Sequence, residues 1–202
     1  METEIKAEDF ARYFPKLYHV TFATNLDSIR QLGLLSATAL AAHYGFTTEE
    51  REACLGRRRL CNQDLYGITL RDQNAASEAR MKSSLVNVSI ADWLALLNRK
   101  IFFFVEQRKA LLFAETYSGY DNVLLATDTA KLLAVHGQGV TLCRINSGSF
   151  IYNARPRGVQ SFIPLHEYLY KNKRDTPAEL TVDVPVPDVM AISEVIATVK
   201  VV

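Results

Sequence analysis

The sequence predicts a single α+β domain spanning residues 1–202. Three observations carry this. Amphipathic segments with helix caps crowd the first half of the chain. Short, continuous apolar runs bounded by charge, such as Ile101-Phe102-Phe103-Phe104-Val105 and Asn122-Val123-Leu124-Leu125-Ala126, gather later and read as strands buried on both faces. A chain of 202 residues, 49% hydrophobic and 22% charged, has the balance of one globular domain with a real core.

Taken in order, residues 5–14 read as a short helix stopped by Pro15. Leu17-Tyr18-His19-Val20-Thr21 is a strand, with His19 and Thr21 on one side of it. A helix follows, N-capped by Asn25, carrying Leu26, Ile29 and Leu32 on one face and closed by Gly33 in a left-handed conformation. Residues 36–44 form a second helix, capped by Ser36 and ended by Gly45. Thr47 and Glu50 have capping-box spacing and open a third, which ends near Gly56. Arg57-Arg58-Arg59 is then either a solvated helix end or a contact for a polyanion. Residues 62–74 read as an extended polar segment carrying Arg71.

Residues 89–98 form an amphipathic helix with Ile90, Trp93, Leu94 and Leu97 on its face, and Trp93 reads as core. Residues 107–117 are helical. Asp128 caps a helix that Gly137 ends, and residues 140–144 make a further strand. Asn146-Ser147-Gly148-Ser149 is a turn. Residues 150–176 show little periodicity, hold Tyr152, Arg155, Arg157 and the basic run 171–174, and read as a functional loop. In residues 178–184 the alternation puts Leu180, Val182 and Val184 on one face of a strand, with Glu179, Thr181 and Asp183 on the solvent side. Prolines 185 and 187 stop it, and residues 192–202 end the chain as a strand. The expected total is about six strands.

Several function classes are excluded by residue pattern. There is no GxSxG elbow, no glycine–lysine phosphate loop and no GxGxxG. The four histidines, at 19, 43, 136 and 166, have no ligand partner at two- or four-residue spacing, so no metal site is expected. Cys54, Cys61 and Cys143 are odd in number and lack CxxC spacing, which fits a reduced, cytoplasmic setting better than a disulfide framework. No apolar run approaches membrane length, and the charged N-terminus carries no signal-peptide core. The net charge of +1 leaves room for a local basic groove. His19 with Thr21 and the strand carboxylate Glu179 stand out as candidate chemistry.

The order of these pieces resembles the ADP-ribosyltransferase fold, and within it the DarT-type toxins that modify DNA bases. Tyr18-His19-Val20-Thr21, followed by Asn25-Leu26, Ser28-Ile29 and Gly33-Leu34-Leu35-Ser36, resembles that family's opening strand and helix. Ile101-Phe102-Phe103-Phe104 resembles its aromatic strand, and Pro177-Ala178-Glu179-Leu180-Thr181-Val182 its catalytic strand. The resemblance implies a split central sheet with peripheral helices, and NAD as co-substrate. It implies Glu179 and His19 as catalytic residues. His19, Thr21, Asn25, Ser36, Arg71 and Phe103 would hold NAD, with Arg71 at the pyrophosphate. It further implies a DNA or RNA acceptor met by Tyr152, Arg155 and Arg157, and the role of a bacterial toxin or phage-defence effector with an antitoxin as possible partner. Transfer to protein, hydrolysis of NAD, or non-catalytic nucleotide binding are the alternatives. The chain departs from the DNA-modifying enzymes in one place. Asn146-Ser147-Gly148-Ser149 stands where they carry a histidine, which leaves the acceptor open.

Overall fold

The computed structural model describes residues 4–56, 67–71, 77–117, 119–150 and 155–199. Among them are seven strands: β1 (Lys16–Phe22), β2 (Ile101–Phe104), β3 (Asn122–Asp128), β4 (Val140–Cys143), β5 (Ile163–Pro164), β6 (Glu179–Val182) and β7 (Ser193–Val199). They form one sheet in the order β5-β4-β6-β2-β1-β3-β7, and all the strand pairs are antiparallel. The eight helices are α1 (Ala7–Tyr13), α2 (Leu26–Leu32), α3 (Ala37–His43), α4 (Thr48–Leu55), α5 (Glu78–Ser84), α6 (Ile90–Asn98), α7 (Gln107–Glu115) and α8 (Thr129–His136). The architecture is therefore α+β. No described helix is long and apolar enough to cross a membrane.

Local chemistry accounts for most helix starts. The hydroxyls of Ser36, Ser77 and Ser89 and the carboxylate of Asp128 each accept a bond from a backbone N–H three residues on. Thr47 and Glu50 form the expected capping box. Asn25 does not cap α2. A 3-10 turn over Ala23–Asn25 precedes the helix, so the Asn25 backbone is already helical and its amide is turned elsewhere.

The sheet carries its main core on one face. There Leu17, Ile101, Phe103, Leu125, Leu142 and Leu180 pack with Phe10 of α1, Ile29 of α2 and Leu132 of α8. The opposite face is covered in two separate places. Helix α7 lies over Val20, Phe104 and Leu124. Helices α5 and α6 bring Met81, Trp93, Leu94 and Leu97 onto Cys143, Phe150 and Phe162. The alternation in residues 178–184 pointed to a half-solvated strand, but all four residues of β6 are buried. β6 lies between β4 and β2, with Leu180 and Val182 in the main core, and the polar residues Glu179 and Thr181 on its other face are buried as well. Residues 155–176, expected as an irregular loop, hold β5 and three 3-10 turns and bury Arg157, Phe162, Leu165 and Tyr168. Tyr168 is fully buried and its hydroxyl donates to the Asp175 carbonyl at 2.6 Å.

One seam interrupts the sheet. β1 meets β2 at a single rung, Tyr18 opposite Phe104, whereas β1 runs seven rungs along β3. Register carries that rung on across the sheet, so that Tyr18, Phe104, Glu179 and Cys143 form one row on the same face.

Candidate active site

Between the two helical covers, above β2 and β6, lies a cleft of about 960 Å³. Phe102, Phe104 and Glu179 line it from the sheet, Leu94 and Leu97 from α6, and Leu112 and Phe113 from α7. His19, Ser36 and Arg71 border it, as do the turn 146–149 and Arg155.

Glu179 is 4% exposed. Its Oε2 accepts from the Ser147 backbone N–H at 3.0 Å. Burial pushes its carboxyl up to about 7, against the opposing pull of Ser147 and the Arg157 charge. Among the described lining residues it is the one acidic side chain, in a wall that also holds Arg71, Lys100, Lys109, Arg144, Arg155 and Arg157. Three of these cations are held by carboxylates outside the wall: Lys100 by Asp183 at 2.7 Å, Lys109 by Glu106 at 2.6 Å and Arg144 by Asp175 at 2.9 Å. A wall so composed favours an anionic ligand.

His19 sits where the sheet parts. Its Nδ1 lies 2.9 Å from the Phe102 carbonyl, which only accepts, so the proton is on Nδ1 and Nε2 keeps its lone pair. Burial, with the Arg71 charge nearby, takes this imidazole down to about 4 despite that bond, so it is neutral at pH 7. Arg71 is caged by aromatic rings. Its guanidinium lies 4.1 Å from the Phe22 centroid, 4.5 Å from Tyr117 and 5.1 Å from Phe113, and donates to Asn122 Oδ1 at 2.9 Å. Burial lowers it to about 10, so it stays charged. Asn122, fully buried, also donates to the Tyr117 and Tyr120 carbonyls at 2.9 Å each and so ties Arg71 to the cleft rim. Nothing in the sequence singles Asn122 out except an amide at the head of an apolar strand.

Other expected site residues fall behind the wall. Asn25 donates to the Thr69 carbonyl at 2.9 Å and to Thr21 Oγ1 at 3.2 Å, and its Oδ1 accepts from the Thr69 N–H at 2.7 Å. Thr21 and Asn25 thus clamp the segment 67–71 that bears Arg71. Phe103 is fully buried in the main core, 5.7 Å from the His19 ring. Its neighbours Phe102 and Phe104 face the cleft instead, because strand side chains alternate. Ser36 reaches the cleft while capping α3. Arg155 is exposed. Arg157, expected at an acceptor surface, is 2% exposed and bonded to backbone carbonyls. Cys143 pairs with Glu179 across β4 and β6. Burial and the neighbouring carboxylate push its thiol up to about 12, which keeps it protonated and inert. Tyr152 and the triple arginine 57–59 lie outside the described residues.

The chain belongs to the family of unknown function DUF7002, whose model matches residues 15–193. No curated protein matches it.

Proposed function

We propose that this member of DUF7002 is an NAD-dependent ADP-ribosyltransferase that acts on a nucleic acid, DNA or RNA. The observation that carries the reading is a buried carboxylate, Glu179, set in a cleft wall whose other charged residues, among those described, are cations, with Phe102, Phe104 and Phe113 beside them. A dinucleotide suits such a wall: its pyrophosphate is anionic, its bases and nicotinamide ring are flat, and its ribose hydroxyls need acceptors.

The reaction breaks the bond from ribose C1′ to the nicotinamide nitrogen. The electron pair leaves with nicotinamide, and positive charge develops on the ribose ring. The ionised Glu179 carboxylate stabilises that charge, accepts a hydrogen bond from the 2′-hydroxyl, and takes the proton released as an acceptor atom bonds to C1′. Neutral His19 offers Nε2 as acceptor to a ribose hydroxyl. Phe102 and Phe104 supply an apolar floor. Arg71 supplies charge for the pyrophosphate. Exposed Arg155, with Lys171, Lys173 and Arg174, supplies a basic approach for a nucleic-acid strand. Buried Cys54 and Cys143, neither in a disulfide, suit a cytoplasmic protein. A toxin or phage-defence effector held in check by an antitoxin is the setting that the resemblance implies.

The withdrawal of Arg157 from solvent favours a second reading, in which the acceptor is a protein side chain or water. Nicotinamide release from labelled NAD, in parallel tubes with DNA, RNA, protein extract or buffer, separates these. Label entering DNA or RNA, with Glu179→Gln slower by about 10²–10³-fold, is the expected result. Label in protein alone, or release in buffer alone, selects the second reading. No release in any tube overturns both.

A further inference from the structure

Arg157 is a cation withdrawn from water, with no carboxylate at ion-pair distance among the described residues, though the Glu179 charge is near enough to act on it. Its Nη1 donates to the carbonyls of Asn146 at 3.2 Å, Ser147 at 2.9 Å and Ser149 at 2.7 Å, and its Nε donates to the Arg155 carbonyl at 3.1 Å. The guanidinium also lies 4.3 Å from the Phe150 ring centroid. Its own backbone is pinned: the Arg157 N–H donates to the Ser84 carbonyl and its carbonyl accepts from Val86, both at 2.8 Å, where α5 ends. Desolvating an arginine for carbonyl partners is costly. The arrangement therefore needs a reason beyond filling space.

We infer that Arg157 is the positioning residue for Glu179, acting through the turn 146–149, and this rests on the reading of Glu179 as the catalytic carboxylate. The Asn146 carbonyl and the Ser147 N–H belong to one peptide unit. In a trans peptide they point in opposite directions. Arg157 holds the carbonyl end of that unit, so the N–H end is aimed at Glu179 Oε2. The same bond polarises the peptide and strengthens its donor. The buried Ser147 hydroxyl also favours the ionised carboxylate, and the amide is the stronger of the two tethers. The turn that stands in place of an expected histidine is thereby a device for setting a carboxylate.

Other charged and titratable groups near Glu179 do not supply this. Cys143, opposite it on β4, stays neutral, and so does His19 across the cleft. Lys100 is held at Asp183.

The test is the titration of Glu179, followed by the ¹³Cδ signal of labelled glutamate, with Arg157→Gln and Arg157→Lys against the parent chain. In the parent the Ser147 amide signal should titrate with the same midpoint as the carboxyl. In Arg157→Gln that midpoint should rise by about one unit. The acid limb of the nicotinamide-release profile should follow it, so that turnover falls about tenfold below the midpoint and converges with the parent at high pH. The loss should fall on kcat rather than KM. Arg157→Lys keeps the charge without the fork and should fall between. Folded variants with an unmoved midpoint overturn the inference. If neither variant folds, a Ser147 amide that ignores the parent's carboxyl titration overturns it. A parent that releases no nicotinamide but shows the shifted titration sinks the transferase reading alone.

Discussion

Glu179 sets function against stability at one atom pair. Its ordinary value of 4.5 is that of the unfolded chain, and the fold raises it to about 7. The folded state therefore binds the proton more tightly. There is no penalty below pH 4.5; it grows between 4.5 and 7 and is constant above, reaching about 3 kcal/mol. Glu179→Gln should melt later than the parent above pH 7 and alongside it at low pH, while losing nicotinamide release. Thermal melts across pH check this, and equal melting temperatures at pH 8 would refute it. His19 works in the opposite sense. Its value falls from 6.5 to about 4, so its neutral form contributes stability above pH 6.5 that is lost as pH drops toward 4. The two groups leave the fold acid-sensitive through His19 and alkali-burdened through Glu179.

At the scale of the element, Gly33 shows how a helix end secures the wall of the cleft. It closes α2 with φ 75° and ψ −168°, a region essentially confined to glycine. A Cβ there would collide with the Val186 carbonyl and Pro187, because Leu34 and Val186 exchange backbone bonds at 3.0 and 2.9 Å just beyond. Gly33→Ala should lower stability by about 3 kcal/mol or more, read as a drop in the urea midpoint at unchanged slope. That glycine was legible in the sequence, as were the caps at Ser36, Thr47 and Asp128, because a cap is decided within four residues. Ser77 was not, since the segment it opens has weak periodicity. Asn25 looked like a cap because residue type does not reveal a preceding 3-10 turn. β6 looked half-wet because alternation cannot report that the strand lies in the interior of the sheet, between β4 and β2. Phe102, Phe103 and Phe104 are chemically identical, so only register says which two face the cleft. Arg157 looked like a surface cation because carbonyls that gather around a guanidinium leave no trace in composition.

At the scale of the whole molecule, a chain of net charge +1 concentrates six cations around one carboxylate among the described lining residues, and three of them have their counter-charges outside the wall. The sheet that carries them is sewn together unevenly. β5, β4, β6 and β2 form one panel bearing Glu179, and β1, β3 and β7 form another bearing His19. One rung joins them, Tyr18 to Phe104. Each panel has its own ladder; α5 and α6 cover the first on the cleft face, α7 lies over the second and over Phe104 at the seam, and the shared core lies behind. Energetically this is a seam between two cooperative units. Amide hydrogens of the two panels should exchange as two families in the free protein, and a dinucleotide laid across the seam should merge them into one. The ligand would then serve as a missing set of rungs, and its grip would be measurable as the slowing of the less stable panel.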